Sequence, residues 1–186
     1  MPDRIAHFWL TDDVSPPRPG SSHFDRNVEQ GFWSLTWLAQ ALADVDREAP
    51  LHLSVFTTGA VQVRDEALPH PEKAMISGPV GVMARELPAL TAAQIDLEVS
   101  PPATQAGWFS KPAANSETIS PQDLLDELLA QPANLQVAHR GGRRHELRYR
   151  PAELRQDGLP GWKPGGSYLI TGGFGGIGLT PAADIL

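Results

Sequence analysis

Hydrophobic residues along the chain form short apolar runs that alternate with longer stretches of helical spacing. Apolar runs predict a buried β-strand over residues 5–10 and a second strand over residues 51–56, and the alternation of Ile95, Leu97 and Val99 with polar residues predicts a third over residues 94–99. Loop-forming residues follow each strand. Apolar positions three and four apart over residues 25–45 predict a long helix, with Asp25 at its N-terminal end. Strands that alternate with helices predict crossover connections, and therefore a mostly parallel sheet with helices on its faces.

Two further helices are predicted between these strands and the C-terminal part of the chain. One opens at Pro69-His70-Pro71 and contains Gly78-Pro79, which we expect to kink or restart it. After a polar, proline-rich loop over residues 100–119, Ser120-Pro121 is typical of a helix start, and this helix is predicted to run to about Gln131. Its inward-facing residues are expected to be Leu124, Leu125, Leu128 and Leu129.

The last third of the chain carries turn-forming residues at two places. Strand-like segments on either side of Gly141-Gly142 predict an antiparallel β-hairpin near residues 135–149. Residues 151–166 are rich in proline and glycine and predict a linker, and the apolar residues 167–170 predict a final buried strand. The predicted fold class is therefore α/β, with a mostly parallel sheet, flanking helices and an antiparallel hairpin.

Composition excludes several classes of function. The chain has 186 residues and a formal net charge of -7, which argues against a nucleic-acid surface. Its basic cluster, Arg140 to Arg150, alternates with apolar residues and favours the charged outer face of a strand. It has no cysteine, and its six histidines lack the spacing of metal ligands, so we predict no metal site. No apolar run approaches the ~20 residues of a membrane span, and the N-terminus lacks a signal-peptide pattern, so we expect a cytoplasmic location.

A glycine-rich turn follows the last predicted strand and fits the pattern T-G-x-x-x-G-x-G. Glycines in such a turn let the backbone approach a pyrophosphate, which the start of the next helix attracts through its free N–H groups. The alternative is a purely structural turn. We expect Pro181 to interrupt the following helix, and a ribose-binding residue about 20 positions further on would lie beyond Leu186. The candidate cofactor-binding residues are Thr171, Gly172, Gly173, Phe174, Gly175, Gly176, Ile177 and Gly178.

The order of these motifs resembles the ketoreductase domain of modular type I polyketide synthases, a branch of the short-chain dehydrogenase/reductase superfamily. Residues 139–179 are similar to the junction between the structural and catalytic halves of that domain, where a basic hairpin and a proline-rich linker lead into T-G-G-x-G-G-x-G. Residues 27–42, 51–63 and 71–99 resemble the long helix, a strand, and the helix and strand that follow in the structural half. The resemblance covers about residues 4–180.

This resemblance implies a truncated Rossmann-like fold in an incomplete domain. Residues 1–150 would be an N-terminally incomplete structural half, residues 151–166 a linker, and residues 167–186 the truncated start of an NADP-binding catalytic half. In the family, the complete domain uses NADPH to reduce a β-ketoacyl thioester to a β-hydroxyacyl thioester. The implied partners are the acyl carrier protein that holds this substrate and the other synthase domains.

The catalytic residues of the family do not map onto this chain. The family uses a tyrosine followed four residues later by a lysine, which lowers the tyrosine pKa, and a serine that polarises the carbonyl. The chain has two tyrosines, Tyr149 and Tyr168, and the residues four positions on are Glu153 and Gly172. We therefore assign no catalytic residue. Surface positions are expected for the lysines, Lys73, Lys111 and Lys163.

Three interpretations of the chain stay open at this point. It is a fragment of a ketoreductase that lacks catalysis by itself, or a frame-disrupted remnant without function. Alternatively, it is a non-enzymatic scaffold or docking half-domain that packs on a separate catalytic half. The candidate contact residues of such a scaffold are Trp33, Trp37, Trp108 and Phe109.

Overall fold

The protein is described by a computed structural model that covers most of the chain and divides it into two compact units, Met1–Arg148 and Tyr149–Leu186. The first unit contains a five-stranded sheet with helices on both faces, and the described part of the second contains one helix. The residues that the structure describes are 2–11, 22–45, 48–68, 70–98, 119–153, 163 and 165–185.

The sheet follows the order of its strands in the sequence, β1-β2-β3-β4-β5. The first four strands are parallel, and β5 is antiparallel to β4. This arrangement confirms the predicted α/β fold with a mostly parallel sheet and an antiparallel hairpin. The strands are β1 (Arg4–Leu10), β2 (Leu51–Thr58), β3 (Leu90–Leu97), β4 (Leu135–Arg140) and β5 (Arg143–Glu146).

The helices fall where the apolar spacing predicts them. The first helical segment is continuous from α1 through a π-helical stretch into α2, and the second begins as a 3-10 helix that restarts as α3 close to Gly78-Pro79. The helices are α1 (His23–Asn27), the π-helical stretch (Val28–Trp33), α2 (Ser34–Ala43), the 3-10 helix (Pro71–Ile76), α3 (Ser77–Glu86), α4 (Pro121–Leu129) and α5 (Gly176–Ile185).

Two apolar clusters cover the two faces of the sheet. On one face, Leu53 of β2 packs in a cluster with Leu35 of α2 and Met83 of α3. On the other face, Phe56 and Ile95 pack with residues of α4. Every residue of β2 is buried, as expected for a parallel strand with helices on both sides.

The third strand differs from its prediction in extent and in burial. β3 begins at Leu90, four residues before the predicted start at Gln94, because it pairs with β2 along the whole length of that strand. The alternation of buried and exposed residues that we predict around Ile95 and Leu97 is wrong, since both faces of β3 are covered and the intervening Asp96 is fully buried.

Gly31 lets the π-helical stretch pack closely on the sheet. A Cβ atom at Gly31 would lie 2.8 Å from Cδ1 of Leu10 and 3.0 Å from Cγ2 of Ile76, both in the core. The stretch therefore needs a residue without a side chain at the point where it crosses the end of β1.

Helix α4 begins as the sequence predicts. The hydroxyl of Ser120 accepts a hydrogen bond of 3.0 Å from the backbone N–H of Asp123, which satisfies one of the free donors at the helix start. At the other end, the guanidinium of Arg4 donates to the carbonyls of Leu128 and Ala130 at 2.7 and 2.9 Å. The predicted inward positions are wrong for two of the four leucines, because Leu125 and Leu129 are exposed.

The predicted burial of the first strand is also wrong. In β1 only Leu10 is fully buried, and the side chain of Trp9 is 61% exposed. The reason is that β1 pairs only with β2 among the described strands, so it lies at an edge of the sheet. Phe8 still covers the apolar core, since its ring stacks on Phe56 with centroids 4.4 Å apart.

In the second unit the predicted strand at residues 167–170 is wrong. These residues belong to no ladder among the described strands, and Leu169 is exposed. An apolar run becomes a strand only where a neighbouring strand offers hydrogen bonds, and no described strand pairs with this one. The expected interruption at Pro181 is wrong too, because α5 continues through it to Ile185. The proline removes the backbone donor that would meet the carbonyl of Ile177, without ending the helix.

Candidate functional site

The predicted cofactor turn folds as a tight turn that leads directly into α5. Residues 171–174 form the turn, and the helix begins at Gly176. Gly172 has a φ of +71°, in the left-handed region that favours glycine. The turn is closed by a hydrogen bond of 2.9 Å from the N–H of Gly175 to the carbonyl of Gly172. The first turn of the helix then starts with a bond of 3.0 Å from Leu179 N–H to the carbonyl of Gly175.

Three glycines of the pattern occupy different environments. A Cβ atom at Gly178 would lie 2.7 Å from Cα of Gly173, so α5 packs on the turn at a distance that no side chain tolerates. No other atom lies within 4 Å of a Cβ built at Gly176, so the backbone there is open. With Gly172 providing the turn, these three positions meet the three demands on glycine in a dinucleotide turn, which are a tight turn, open backbone and close helix packing.

The first turn of α5 also supplies free hydrogen-bond donors. The N–H groups of residues 176–178 have no carbonyl four residues back within the helix. They are partially positive and suit an anionic oxygen. The side chains of Phe174 and Ile177, both in the predicted set, are fully exposed and make no core contacts in this unit. The turn therefore offers backbone donors and an apolar rim, and its eight residues stay a predicted cofactor site.

A second polar cluster lies at the carboxyl ends of the parallel strands, where α/β proteins commonly bind ligands. Asp96, at this end of β3, is fully buried. Its Oδ1 accepts hydrogen bonds from the Thr57 hydroxyl at 2.6 Å and the Ala60 N–H at 2.9 Å, and its Oδ2 accepts from Nη2 of Arg140 at 2.6 Å. Both oxygens of the carboxylate are thus hydrogen-bonded by the protein itself.

Arg140 completes this cluster from the end of β4. Its Nε donates to Glu66 at 2.9 Å, and Nη2 also donates to the carbonyl of Val61 at 2.8 Å. Burial opposes the charge of Arg140, but the hydrogen bonds and charges of Asp96 and Glu66 outweigh burial and raise the pKa of the guanidinium. The interpretation of the basic cluster as an outer strand face is therefore wrong for Arg140. Because Arg140 is bonded to both Asp96 and Glu66, the arrangement stabilises the carboxyl ends of β3 and β4 and offers no free acid or base.

The three lysines behave differently from one another. The surface position predicted for Lys73 is wrong, because Lys73 is fully buried. Its Nζ donates to the carbonyl of Leu10 at 3.0 Å and to the Thr58 hydroxyl at 3.2 Å. The signal that could have found this is its spacing from Ile76, one turn further along a 3-10 helix and also buried. Lys163 is exposed as predicted, and Lys111 lies outside the described residues.

The two tyrosines lie in different environments. Tyr149 is almost fully exposed. The hydroxyl of Tyr168 accepts a hydrogen bond of 2.6 Å from the backbone N–H of Lys163 and thereby closes the end of the linker. That no catalytic residue is present remains a prediction. No helix in the described part of the chain is long and apolar enough to cross a membrane.

Sequence comparison relates the chain to polyketide synthases. No protein-family profile matches it. Over 151 residues, or 81% of the chain, it is 29% identical to a subunit of the phenolphthiocerol/phthiocerol polyketide synthase of Mycobacterium tuberculosis. The identity and coverage are the same for a subunit of this synthase from another strain of that species and for one from Mycobacterium bovis. The chain spans 8% of the length of these curated relatives.

Structure comparison gives the fold. A multidomain structure with adenylation, ketoreductase and pseudo-Asub domains, from a keto acid-selecting NRPS module, matches 99% of the chain with a TM-score of 0.59 and 19% identity. The match covers 14% of that structure. A short-chain dehydrogenase from Mycobacterium avium matches 88% of the chain and 59% of its own length, with a TM-score of 0.52 and 15% identity. The chain therefore has a Rossmann-like α/β fold of the short-chain dehydrogenase and ketoreductase type, and it is homologous to mycobacterial polyketide synthase subunits.

Proposed function

We propose that the chain is part of a ketoreductase of a modular type I polyketide synthase. Residues 1–150 act as its structural half, and residues 171–178 are the NADPH-binding turn that opens its catalytic half. The complete enzyme reduces a β-ketoacyl thioester on an acyl carrier protein to the β-hydroxyacyl thioester. The other synthase domains are its partners, and its location is the cytoplasm.

The glycine turn carries this proposal. Gly172, Gly176 and Gly178 meet the backbone demands of a pyrophosphate site, and the free donors at the start of α5 lie at the same position along the chain. The homology to polyketide synthase subunits supports the choice of substrate class. A nicotinamide cofactor is in keeping with the fold of the ketoreductase and dehydrogenase relatives.

We further propose that these 186 residues do not catalyse reduction by themselves. A tyrosine followed four residues later by a lysine is absent from the sequence. Asp96 and Arg140, at the carboxyl ends of β3 and β4, do not replace this acid, because they are bonded to each other and the pKa of the Arg140 guanidinium is raised. The first unit then contributes the structural half of the complete enzyme.

An NADPH titration followed by nicotinamide fluorescence tests the proposal. Binding at micromolar NADPH that is lost in Gly178→Ala, where the new Cβ collides with the turn, would support a retained cofactor site. The matched control is Gly81→Ala, at a glycine with open space around it. Equal binding by the Gly178→Ala variant would refute the assignment of the turn. A stable monomer without binding favours the scaffold interpretation, and aggregation favours the remnant.

A second candidate function, the scaffold that docks a separately encoded catalytic half, is favoured by one surface. Trp33 and Trp37 are both about half exposed, and their rings stack with centroids 6.3 Å apart. Phe24 is also exposed and lines one surface pocket together with Trp33 and Trp37. Trp108 and Phe109, predicted for the same role, lie outside the described residues.

The docking of a separately expressed ketoreductase catalytic half tests this candidate. Replacing both Trp33 and Trp37 by alanine should weaken its binding at least about tenfold, since buried aromatic side chains dominate interfaces. Trp9→Ala serves as the control, because Trp9 is an exposed tryptophan that lies on β1 and not on the helical segment of Trp33 and Trp37. Equal weakening by both changes would argue against this docking surface.

A further inference from the structure

Four polar side chains meet between α1 and the start of the 3-10 helix. His23 and Asn27 lie four residues apart on one side of α1, and His70 and Glu72 stand at the first turn of the 3-10 helix. His70 is fully buried and Asn27 nearly so, whereas His23 and Glu72 retain partial exposure. We call these four residues the histidine cluster.

The distances in the histidine cluster are those of a ligand set. Oε1 of Glu72 lies 3.1 Å from Nδ1 of His70 and 3.6 Å from Nε2 of His23. The three donor atoms all lie within 4.8 Å of one another. Ligands about 2.0–2.1 Å from a tetrahedral zinc ion are separated by about 3.4 Å. Two edges of such a tetrahedron are therefore already formed by side chains that come from two different helices.

Two buried atoms of the same cluster, Oδ1 of Asn27 and Nε2 of His70, lack hydrogen-bond partners within the described part of the chain. Only Oδ1 of Asn27 bears on the site and provides an independent observation, because Nε2 of His70 lies at a different corner of the ring from the ligand atom Nδ1. Buried polar atoms are rarely left in this state. Nδ2 of Asn27 lies 2.9 Å from both Nε2 of His23 and Oε1 of Glu72. The oxygen and nitrogen of an amide occupy interchangeable positions, so a half-turn of this group brings Oδ1 to the same place beside both ligands.

The donor types select the kind of cation. Two imidazole nitrogens and one carboxylate oxygen suit zinc and similar transition metals, whereas Mg²⁺ and Ca²⁺ take oxygen ligands almost entirely. Glu72 neutralises part of the charge of a divalent ion. The neighbouring cation Lys73 points elsewhere, with its Nζ bonded to the carbonyl of Leu10 and the Thr58 hydroxyl. The partial exposure of His23 and Glu72 provides a route from solvent.

We propose that the histidine cluster is a zinc-type metal site. The ligands are Nε2 of His23, Nδ1 of His70 and Oε1 of Glu72, with the Asn27 carbonyl oxygen or a water molecule in the fourth position. The ion joins α1 to the 3-10 helix across 49 residues of sequence, from His23 to Glu72, and stabilises the first unit. The sequence predicts no metal site because the two histidines are too far apart along the chain to form a local motif. This inference does not depend on the proposed function.

Metal content and stability test the site on the full chain after removal of metal with a chelator. We expect one Zn²⁺ per chain after dialysis, a rise in Tm with Zn²⁺ and none with Mg²⁺, and a tetrahedral Co²⁺ spectrum in the visible range. His23→Gln and Glu72→Gln should each weaken Zn²⁺ binding more than about tenfold, since the loss of even a supporting group costs about 10–100-fold in metal affinity. Glutamine keeps the size of Glu72, and the side chain of His23 is 16% exposed, so these variants are expected to fold.

His145→Gln is the matched control, because His145 lies on the β-hairpin, away from the histidine cluster. It should bind Zn²⁺ as the unchanged chain does. The proposal is overturned if the chain retains no Zn²⁺, if Mg²⁺ raises Tm as much as Zn²⁺, or if the His23 and Glu72 variants bind Zn²⁺ as tightly as the His145 variant. Circular dichroism of every variant verifies that the comparison is between folded chains.

Discussion

Glu127 links α4 to the β-hairpin and offers a quantitative test of how the first unit is held together. Its Oε1 accepts hydrogen bonds from Nε2 of His139 at 2.9 Å and from Nε of Arg144 at 2.6 Å. Burial alone raises the pKa of Glu127, but the hydrogen bonds and charges of His139 and Arg144 outweigh burial and hold the pKa at about 2 instead of 4.5. Replacing Glu127 by glutamine removes the charge and keeps the shape.

The pKa sets the size of the effect. Lowering a pKa from 4.5 to about 2 corresponds to at most about 3 kcal/mol. The guanidinium of Arg144 is 40% exposed, so solvent screening reduces this figure to about 1–2 kcal/mol. Because the pKa is lowered by folding, this stabilisation is complete above the unfolded value of 4.5 and is lost as the pH falls towards 2.

Urea unfolding of the wild-type chain and of Glu127→Gln, at about pH 7 and about pH 3, measures this difference. We expect a loss of about 1–2 kcal/mol at neutral pH that shrinks substantially at the acidic pH. Asp126→Asn is the control on the same helix, since Asp126 is exposed. A loss that is the same at both pH values, or that Asp126→Asn reproduces, would refute the electrostatic reasoning.

Three further predictions concern the core and the helix ends. Asp96→Asn should cost about 3 kcal/mol in chemical unfolding, because it removes the buried partner of Arg140, and a loss below about 1 kcal/mol would contradict a tightly paired ion. Ser120→Ala should cost about 1 kcal/mol through the lost helix cap, detected as a lower urea midpoint with an unchanged slope. Gly31→Val should lower stability by about 1–3 kcal/mol because the core leaves no room, whereas Gly81→Val, at an open position, measures the cost of the substitution alone; equal costs would contradict the close packing.

The sequence predicts the elements of the first unit well because their signals are local. The serine cap of α4 and the Gly141-Gly142 turn depend on neighbouring residues, and both are present in the structure. Burial is predicted less well, because it depends on which strand lies beside which. Trp9 is exposed since β1 is an edge strand, and Asp96 is buried since helices cover both faces of β3.

The candidate sites also differ in whether their signal in the sequence is local. The glycine turn is a continuous motif, so its residues can be listed from the sequence, and the structure places them in one turn. The histidine cluster joins His23 to His70, 47 positions apart in the chain, and the ion pair joins Asp96 to Arg140, 44 positions apart. Such contacts have no local pattern and follow only from the fold. The apolar run at residues 167–170 fails for the converse reason, because a local signal does not supply a pairing strand.

The two outer strands of the sheet differ in how readily a further strand can pair with them. β5 has only four residues, three of them charged, and short charged edges resist the addition of another strand. β1 has seven residues and pairs only with β2 among the described strands, so its other edge presents backbone donors and acceptors. Among the described strands, β1 is therefore the one beside which we expect a strand of a neighbouring domain or chain to add, whereas the hairpin disfavours addition at the opposite end.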